Sequence, residues 1–279
     1  MRPSTVKQRL EKRDRTFIQA WMPFWEWAYR HYFRVQTSGW EHVPSGKVLL
    51  VGSHNGGLAA PDLYMFMVDW FWRFGYDRPI YGLMHRKVWQ ANPQAADYGA
   101  RLGAVPAEAR FAIAALHQGA SVLVYPGGAQ DVFRPHSQRN KIHLANRKGF
   151  IKLALRENVP IVPLVASGAH DTLIVLGDIY KQLRQLHDWG LLPWWRDIDP
   201  EVFPIYIGLP WGLALGPLPN IPLPAQIHTQ VCKPIIFEHY GREAAKDLTY
   251  VDRCYLKVEQ AMQAALDALA TKQNSAKLP

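Results

Sequence analysis

The 279-residue chain has little cysteine and no segment with the composition of a secretory leader. Its two cysteines, Cys232 and Cys254, form no CxxC motif, so a disulfide framework is not expected and a reducing compartment fits. The basic start, MRPSTVKQRLEKRDRTF, is not followed by an apolar stretch that ends in a small-residue cleavage site. These absences predict a protein of the cytoplasmic side, without a signal peptide.

A continuous membrane-spanning helix is also missing from the sequence pattern. Residues 202–232 contain no Asp, Glu, Lys or Arg, but they hold six prolines and three glycines. A spanning helix would lose backbone hydrogen bonds at these positions. We therefore predict an irregular, packed, apolar segment that lies near lipid.

Positive charge and aromatic side chains are present in excess. The formal net charge is +9, which suits nucleic acid, an anionic membrane surface or an anionic substrate. There are 11 Trp, 12 Tyr and 11 Phe residues, and Trp and Tyr favour the interface between water and lipid. Because the sequence has no zinc-finger or aromatic RNA-binding motif, this composition favours a membrane surface over nucleic acid.

The aromatic residues are concentrated near the N-terminus, in residues 16–35, where Pro23 interrupts the run TFIQAWMPFWEWAYRHYFRV. This pattern predicts a kinked amphipathic helix or a pair of helices. Two placements are open. The helix packs on the main domain, or it lies at a membrane interface with Trp and Phe towards lipid and Arg15, Arg30 and Arg34 towards the head groups.

From residue 46 onward, apolar strand-like runs alternate with helical patterns. The runs KVLLVGS, ASVLVYP and PIVPLVAS predict buried strands, and AEARFAIAALHQG predicts one of the helices between them. Such alternation indicates an α/β fold with a mixed, mostly parallel sheet flanked by helices. We expect an aromatic-rich helical, membrane-associating segment at residues 1–45 and the main domain at residues 46–279.

His54 stands directly after the first buried strand, at the edge where ligands bind in open α/β sheets. Gly56 and Gly57 follow it, and they allow a sharp turn and the close approach of a substrate. Asp62, next to Pro61, falls at the predicted start of a helix. A carboxylate bonded to an imidazole fixes its tautomer and makes it a better base. The alternative is a loop histidine and an aspartate that only stabilises the helix dipole.

A second strand runs into a glycine turn formed by Tyr125, Pro126, Gly127 and Gly128. Backbone amides in such a turn can cradle an anion or an oxyanion, and a plain tight turn is the alternative.

Basic side chains follow this turn. A solvated basic face is the ordinary explanation, but the position after a glycine turn favours binding of a phosphate-bearing group. Arg110, on the helix after Pro106, points either to a head group or to water. The basic residues after the turn are Arg134, Arg139, Lys141, Arg147 and Lys148.

Other enzyme classes lack their signatures. A serine hydrolase needs Gly-x-Ser-x-Gly, and the related stretch GSHNG has histidine where serine would stand. No HExxH motif or histidine pair with ligand spacing is present, so a metal site is not predicted. A thioesterase or lipid hydrolase, and a non-catalytic lipid-binding protein, remain as alternatives.

Four segments, taken in order, resemble the blocks of the glycerolipid acyltransferase family of the 1-acylglycerol-phosphate type. They are HNGGLAAPD, GAVPAEAR, YPGGAQD and VPIVPL, and the resemblance runs from about residue 40 to residue 235. The usual first block has four residues between His and Asp, whereas seven stand here, and Gly127 replaces the usual Glu. These features look like the branch with a His-x-Gly-Gly first block and a Pro-Gly-Gly third block, which is similar to type-2 diacylglycerol acyltransferases.

The resemblance implies an O-acyltransferase that moves an acyl chain from acyl-CoA or acyl carrier protein to a hydroxyl of a glycerolipid or another lipid alcohol. His54 would be the general base and Asp62 would orient it, with no acyl-enzyme and no cofactor beyond the co-substrate. The expected partners are the donor, a phosphorylated or neutral lipid acceptor and a membrane surface bound peripherally, and no nucleic acid. The residue pattern and the resemblance together give these candidate substrate contacts: Gly56, Gly57, Arg110, Tyr125, Pro126, Gly127, Gly128, Arg134 and Lys148.

Overall fold

The computed structural model describes the backbone of residues 3–194 and 198–276. In these ranges the α-helices are α1 (Pro3–Leu10), α2 (Arg15–Trp27), α3 (Pro61–Phe74), α4 (Arg86–Ala91), α5 (Pro93–Leu102), α6 (Ala109–His117), α7 (Gly128–Val132), α8 (Gly149–Glu157), α9 (Tyr180–Asp188), α10 (Arg242–Lys246) and α11 (Leu248–Ala276). The strands are β1 (Gln36–Ser38), β2 (Leu49–Gly52), β3 (Ile80–Met84), β4 (Ala104–Pro106), β5 (Ser121–Val124), β6 (Ile161–Ser167), β7 (Ile174–Asp178), β8 (Pro204–Gly208), β9 (Gly212–Leu215) and β10 (His228–Val231).

The main sheet has the strand order β1-β10-β6-β2-β5-β3-β4. The five strands from β6 to β4 run parallel, β10 is antiparallel to β6, and β1 is parallel to β10. The predicted mixed, mostly parallel sheet is therefore confirmed. The N-terminal segment is not purely helical, because β1 lies within it and pairs with a strand from near the other end of the chain.

Residues 48–51 show why the sheet is covered on both faces. Leu49 and Val51 point to a core shared with α6, α8 and α11, while Val48 and Leu50 point to a core shared with α2 and α3. Because successive side chains in a strand face opposite ways, a run without polar residues needs cover on both sides. The result is a sheet between two helical layers, as the alternating pattern predicts.

The predicted elements around the site form close to their expected positions. Helix α3 begins at Pro61, whose fixed φ suits the first helical position, and it ends at Gly75. Helix α11 buries one stripe against the sheet and α8, as expected for an amphipathic helix. The buried residues of that stripe include Val251, Tyr255, Val258, Met262 and Leu269.

The aromatic N-terminal segment combines features of both expected placements. Helix α2 runs through Pro23 and continues as a π-helical turn, Ala28–Tyr32. One face of α2 is buried against α3 through Ile18, Met22 and Trp25, while the other face leaves large aromatic side chains in solvent. The exposed aromatic residues are Trp21, Phe24 and Trp27.

The prediction that residues 202–232 are irregular is wrong where β8, β9 and β10 form, whereas the predicted packing is confirmed by buried side chains such as Tyr206 and Ile227. The segment contains a hairpin, β8–β9, and β7-β8-β9 form a second, antiparallel sheet. Pro204 is tolerated because it is the first residue of its strand, and Gly208 and Gly212 face each other at the end of the hairpin. None of the helices in the described ranges has the length and apolar composition needed to cross a bilayer.

Candidate functional site

Asp62 reaches His54 despite the seven residues between them. The Nδ1 atom of His54 lies 3.2 Å from Oδ1 and 3.1 Å from Oδ2 of the Asp62 carboxylate. The amide of Asn55 donates a second hydrogen bond, of 3.1 Å, to Oδ2 of Asp62. The carboxylate is thus held at the start of α3 and orients the imidazole, which the sequence spacing left undecided.

Glycines make this reversal of the chain possible. Gly56 has a φ of +84°, and a Cβ atom there would lie 2.6 Å from both Pro61 Cδ and Thr172 Oγ1. A Cβ atom on Gly57 would lie 2.5 Å from Leu173 Cδ2. In this closed loop a Cβ atom at either position would clash with its neighbours, so both positions favour glycine.

The His54 imidazole is partly exposed, unlike the carboxylate that it contacts. Its side chain is 19% exposed, whereas that of Asp62 is 3% exposed. Because Nδ1 faces the carboxylate, Nε2 is the nitrogen left to meet a substrate. Burial lowers the pKa of His54, but the charge and hydrogen bond of Asp62, together with the charge of Asp131, raise that pKa above its usual value. The ring of Tyr125 stacks on the imidazole with a centroid distance of 4.4 Å.

A buried ion pair lies beneath His54. The carboxylate of Asp131 accepts hydrogen bonds from the His54 amide, from the guanidinium of Arg134 and, at 3.2 Å, from Ser53 Oγ. Arg134 also donates to Oδ1 of Asn55 at 3.0 Å. Burial raises the pKa of Asp131 to about 6, while the charge of Arg134 acts in the opposite direction. These contacts hold the backbone on both sides of His54.

This geometry corrects the expected role of Arg134. The prediction placed its guanidinium on a basic surface that binds phosphate, but the side chain is buried and pairs with Asp131. Asp131 could have been suspected from the sequence as the partner of Arg134, because it belongs to the block YPGGAQD. The contact of Asp131 with His54 could not be predicted from the sequence, because the two residues are distant along the chain.

The glycine turn lies next to this pair. A Cβ atom on Gly127 would lie 2.2 Å from the carbonyl oxygen of His143 and 2.3 Å from Cβ of Asp131, which explains why no Glu stands there. The amide of Gly128 donates to the carbonyl of Tyr125 at 3.3 Å, so it closes the turn. The predicted use of the Gly128 amide as an oxyanion donor would require this turn to open.

Two predicted substrate contacts lie apart from His54. Arg110 follows β4, the edge strand separated from β2 by β5 and β3, and it pairs with Glu108 at 2.5 Å. Lys148 pairs with Asp252 of α11 at 2.7 Å. It lines a groove of about 490 Å³ beside that helix. The structure does not bring either side chain to the imidazole.

His170 is a buried residue near the site that sequence reasoning missed. It lies in a short 3₁₀ turn, Ala169–Thr172, directly after β6, and its Nε2 atom has no hydrogen-bond partner among the described residues. Burial, and secondarily the positive charge of Arg134, holds the pKa of His170 well below its usual value. The stretch GAH after PIVPLVAS was the available signal, because it follows a central strand at the edge where His54 lies.

A family model described as "Diacylglycerol acyltransferase" matches residues 83–266 of the chain. This range contains the glycine turn, Asp131 and Arg134. It begins after His54 and Asp62, so the pairing of those two side chains rests on the geometry described above.

Several known proteins are similar to this chain. An uncharacterized protein of Mycobacterium tuberculosis is 26% identical over 242 residues, which cover 81% of this chain and 58% of that protein. The chain thus spans little more than half the length of these mycobacterial relatives. Diacylglycerol O-acyltransferase 2 of Bos taurus is 27% identical over 168 residues, or 55% of this chain and 40% of that protein. The 2-acylglycerol O-acyltransferase 1 of Mus musculus is 22% identical over 251 residues, which cover 86% of this chain and 71% of that protein.

The fold also has a solved counterpart. The crystal structure of the 1-acyl-sn-glycerophosphate (LPA) acyltransferase PlsC from Thermotoga maritima superposes with a TM-score of 0.53. The superposition covers 90% of this chain and 79% of that one, at 16% sequence identity, so it shows a shared fold. With the family model matching most of the chain, we conclude that this protein belongs to the diacylglycerol acyltransferase family.

Proposed function

We propose that the protein transfers an acyl group from a thioester, acyl-CoA or acyl carrier protein, to the hydroxyl of a lipid alcohol. The observation that carries this proposal is the His54–Asp62 pair at the carboxyl end of β2. Its imidazole has one nitrogen bonded to a buried carboxylate and the other available to a substrate. That is the arrangement of a general base.

In the proposed mechanism, Nε2 of His54 removes the proton of the acceptor hydroxyl as its oxygen attacks the thioester carbonyl. The tetrahedral intermediate then collapses, the carbon–sulfur bond breaks, and His54 returns the proton to the thiolate. Asp62 stabilises the imidazolium between the two steps. No acyl-enzyme is formed, because the acceptor itself is the nucleophile.

We propose a neutral acylglycerol as the acceptor. Diacylglycerol and 2-acylglycerol are the acceptors named for two of the relatives. Of the five basic side chains predicted to bind phosphate, Arg134 is engaged with Asp131 and Lys148 with Asp252. A phosphorylated acceptor would therefore have to do without these two cations.

The decisive experiment compares His54→Ala with His117→Ala. His117 is a matched control because it too is paired with a carboxylate, Glu157, at 2.7 Å, and it lies at the far end of α6. Acyl transfer from labelled acyl-CoA to diacylglycerol, 2-acylglycerol or lysophosphatidate would be measured. We expect His54→Ala to lower the rate by about 10² to 10⁴, the usual contribution of a positioned base.

Full activity of His54→Ala would show that the proposed mechanism is wrong. A release of free fatty acid that is equally fast with and without an acceptor lipid would instead favour a thioesterase.

A further inference from the structure

The β8–β9 hairpin presents an apolar surface to solvent. In β9, Ala214 points inward and is buried, while Leu213 is 69% exposed. A strand whose outer face meets water ordinarily carries polar side chains there. Here the outward residues are aliphatic or aromatic, and we call them the hairpin face: Ile207, Leu209, Trp211, Leu213 and Leu215.

This hairpin face is joined to the loop that carries His54. The indole nitrogen of Trp211 donates to the carbonyl of Pro219 at 2.7 Å and ties the hairpin to the segment after β9. In that segment, the side chain of Asn220 approaches the carbonyl of Gly56 at 3.5 Å and packs on Gly57. Leu58, in the same His54 loop, is exposed. An apolar surface therefore reaches the edge of the candidate site.

The other side of the same segment contacts the N-terminal helix. The hydroxyl of Tyr32 donates to the carbonyl of Pro222 at 2.7 Å, directly beyond α2 and its exposed Trp27. Arg30 and Arg34 are exposed beside these aromatic residues, and the guanidinium of Arg30 lies 5.1 Å from the ring centre of Trp72. Tryptophan flanked by arginine is typical of residues at a lipid head-group layer.

We propose that the hairpin face, Leu58 and the outer face of α2 form one membrane-docking surface, which places the opening of the His54 site against lipid. This inference rests on the proposed function, because the use of such a surface would be to let a lipid acceptor reach His54 without entering water. The contacts that define the surface are independent of that function.

Charge indicates which partner covers this surface. The formal net charge of +9, with Arg30 and Arg34 at the rim, is complementary to anionic lipid head groups. A second copy of the chain docked on the same face would bring like charges together. The occupant we assign is therefore an anionic bilayer surface.

The first test uses a fluorescent label. Both native cysteines are buried, so Leu213→Cys supplies an accessible thiol for an environment-sensitive dye. Ile236→Cys is the matched control, because Ile236 is 68% exposed and follows Ile235, which bridges to the start of β6 at the opposite edge of the sheet. With vesicles of equal parts phosphatidylcholine and phosphatidylglycerol, we expect a blue shift and quenching by brominated lipid at position 213 alone.

The second test measures sedimentation with the same vesicles. Leu213→Glu should weaken binding by about tenfold or more, because a charge replaces an apolar side chain that lipid would cover, whereas Ile236→Glu should bind as the unaltered protein does. Unchanged binding of Leu213→Glu, together with an unshifted dye at position 213, would overturn the proposal. The proposal would also be overturned if the protein formed a dimer that Leu213→Glu dissociates while vesicle binding is unaffected.

An activity measurement separates this inference from the proposed function. With substrates dispersed in detergent micelles, Leu213→Glu should retain acyl transfer, and with substrates in vesicles it should lose it. If the unaltered protein shows no transfer but the dye at position 213 enters lipid, the docking surface stands and the proposed reaction fails.

Discussion

The His54 imidazole is held through its ring and through its backbone by different carboxylates. Asp62 bonds to Nδ1, and Asp131 accepts from the amide of the same residue. The ring contact tunes the proton affinity, while the backbone contact sets where the ring stands. The two carboxylates are therefore expected to affect activity in different ways.

Replacement of Asp62 by Asn should change the pH profile of kcat/KM. The base works when deprotonated, so activity of the unaltered protein should rise with pH through the raised pKa of His54. Without the carboxylate, burial still lowers this pKa and only the smaller effect of the Asp131 charge raises it, so the acidic limb should move to lower pH. The plateau should also fall by roughly 10²-fold or more, because the tautomer is no longer selected. Initial rates over a pH series would measure both effects.

The control for this change is Glu157→Gln, which removes the carboxylate of another His pair. Its profile should match that of the unaltered protein. An unmoved acidic limb in Asp62→Asn would contradict the assignment of His54 as the titrating base.

Replacement of Arg134 by Met should destabilise the protein by about 3–5 kcal/mol, because Asp131 is left as an uncompensated buried charge. The pKa of Asp131 is already raised by burial to about 6, and the loss of Arg134 raises it further. A raised carboxyl pKa costs stability as pH rises from the unfolded value through the folded one. The deficit should therefore be smaller near pH 4 than near pH 7, as measured by urea unfolding.

The matched comparison is the double variant Arg134→Met with Asp131→Asn. It should recover part of the stability at neutral pH, since the buried charge is gone. A double variant no more stable than the single one would contradict the uncompensated-charge explanation.

At the scale of elements, the site is built where strands end and glycines allow tight turns. β2 is followed by the His54 loop, β5 by the Tyr125–Gly128 turn and β6 by the turn that contains His170. Because these strands are adjacent and parallel, their carboxyl ends converge at one edge of the sheet. Three segments that are far apart in the sequence therefore meet around His54.

Gly127→Ala tests whether the turn tolerates a side chain. The new Cβ atom would meet the His143 carbonyl and Asp131, so we expect a loss of about 1–3 kcal/mol in the free energy of unfolding, typical of overpacking, and reduced activity as Asp131 shifts. Thermal unfolding and acyl transfer would be measured together. Gly149→Ala is the control, because it lies in α8 with no atom near its Cβ position and should be neutral or stabilising. Equal stability of the two variants would contradict the steric argument.

At the scale of the whole molecule, the two sheets have different environments. The main sheet is buried between helical layers, while the small β7-β8-β9 sheet leaves its outward apolar residues uncovered. Helix α2 lies on the face of the main sheet opposite α11. The part of the proposed docking surface that α2 supplies therefore lies on the side of the main sheet away from α11.

Arg30→Gln should weaken binding to anionic vesicles about fivefold, since a basic residue near such a surface contributes about 1 kcal/mol. Sedimentation with vesicles containing phosphatidylglycerol would measure the change, and raised salt should reduce the difference. Arg253→Gln, on α11, is the control because its guanidinium also lies over an aromatic ring, that of Tyr250. A similar loss in both variants would mean that only net charge matters and not the position of Arg30.

From the sequence alone, the α/β class and the parallel strands β2 to β6 follow from local pattern, whereas His54 became the leading candidate through the resemblance of four ordered blocks to one family. Hydrophobic periodicity and glycine positions depend on neighbours in the chain, and these were sufficient. The hairpin in residues 202–232 was not predicted, because prolines and glycines were expected to prevent strands there. They lie instead at the ends of the two strands. Tertiary structure alone decided that Asp62 reaches His54, because the loop between them folds against Thr172 and Leu173. It also decided that the Asp131–Arg134 pair is buried beneath His54, because the segments that follow β2 and β5 meet at one edge of the sheet.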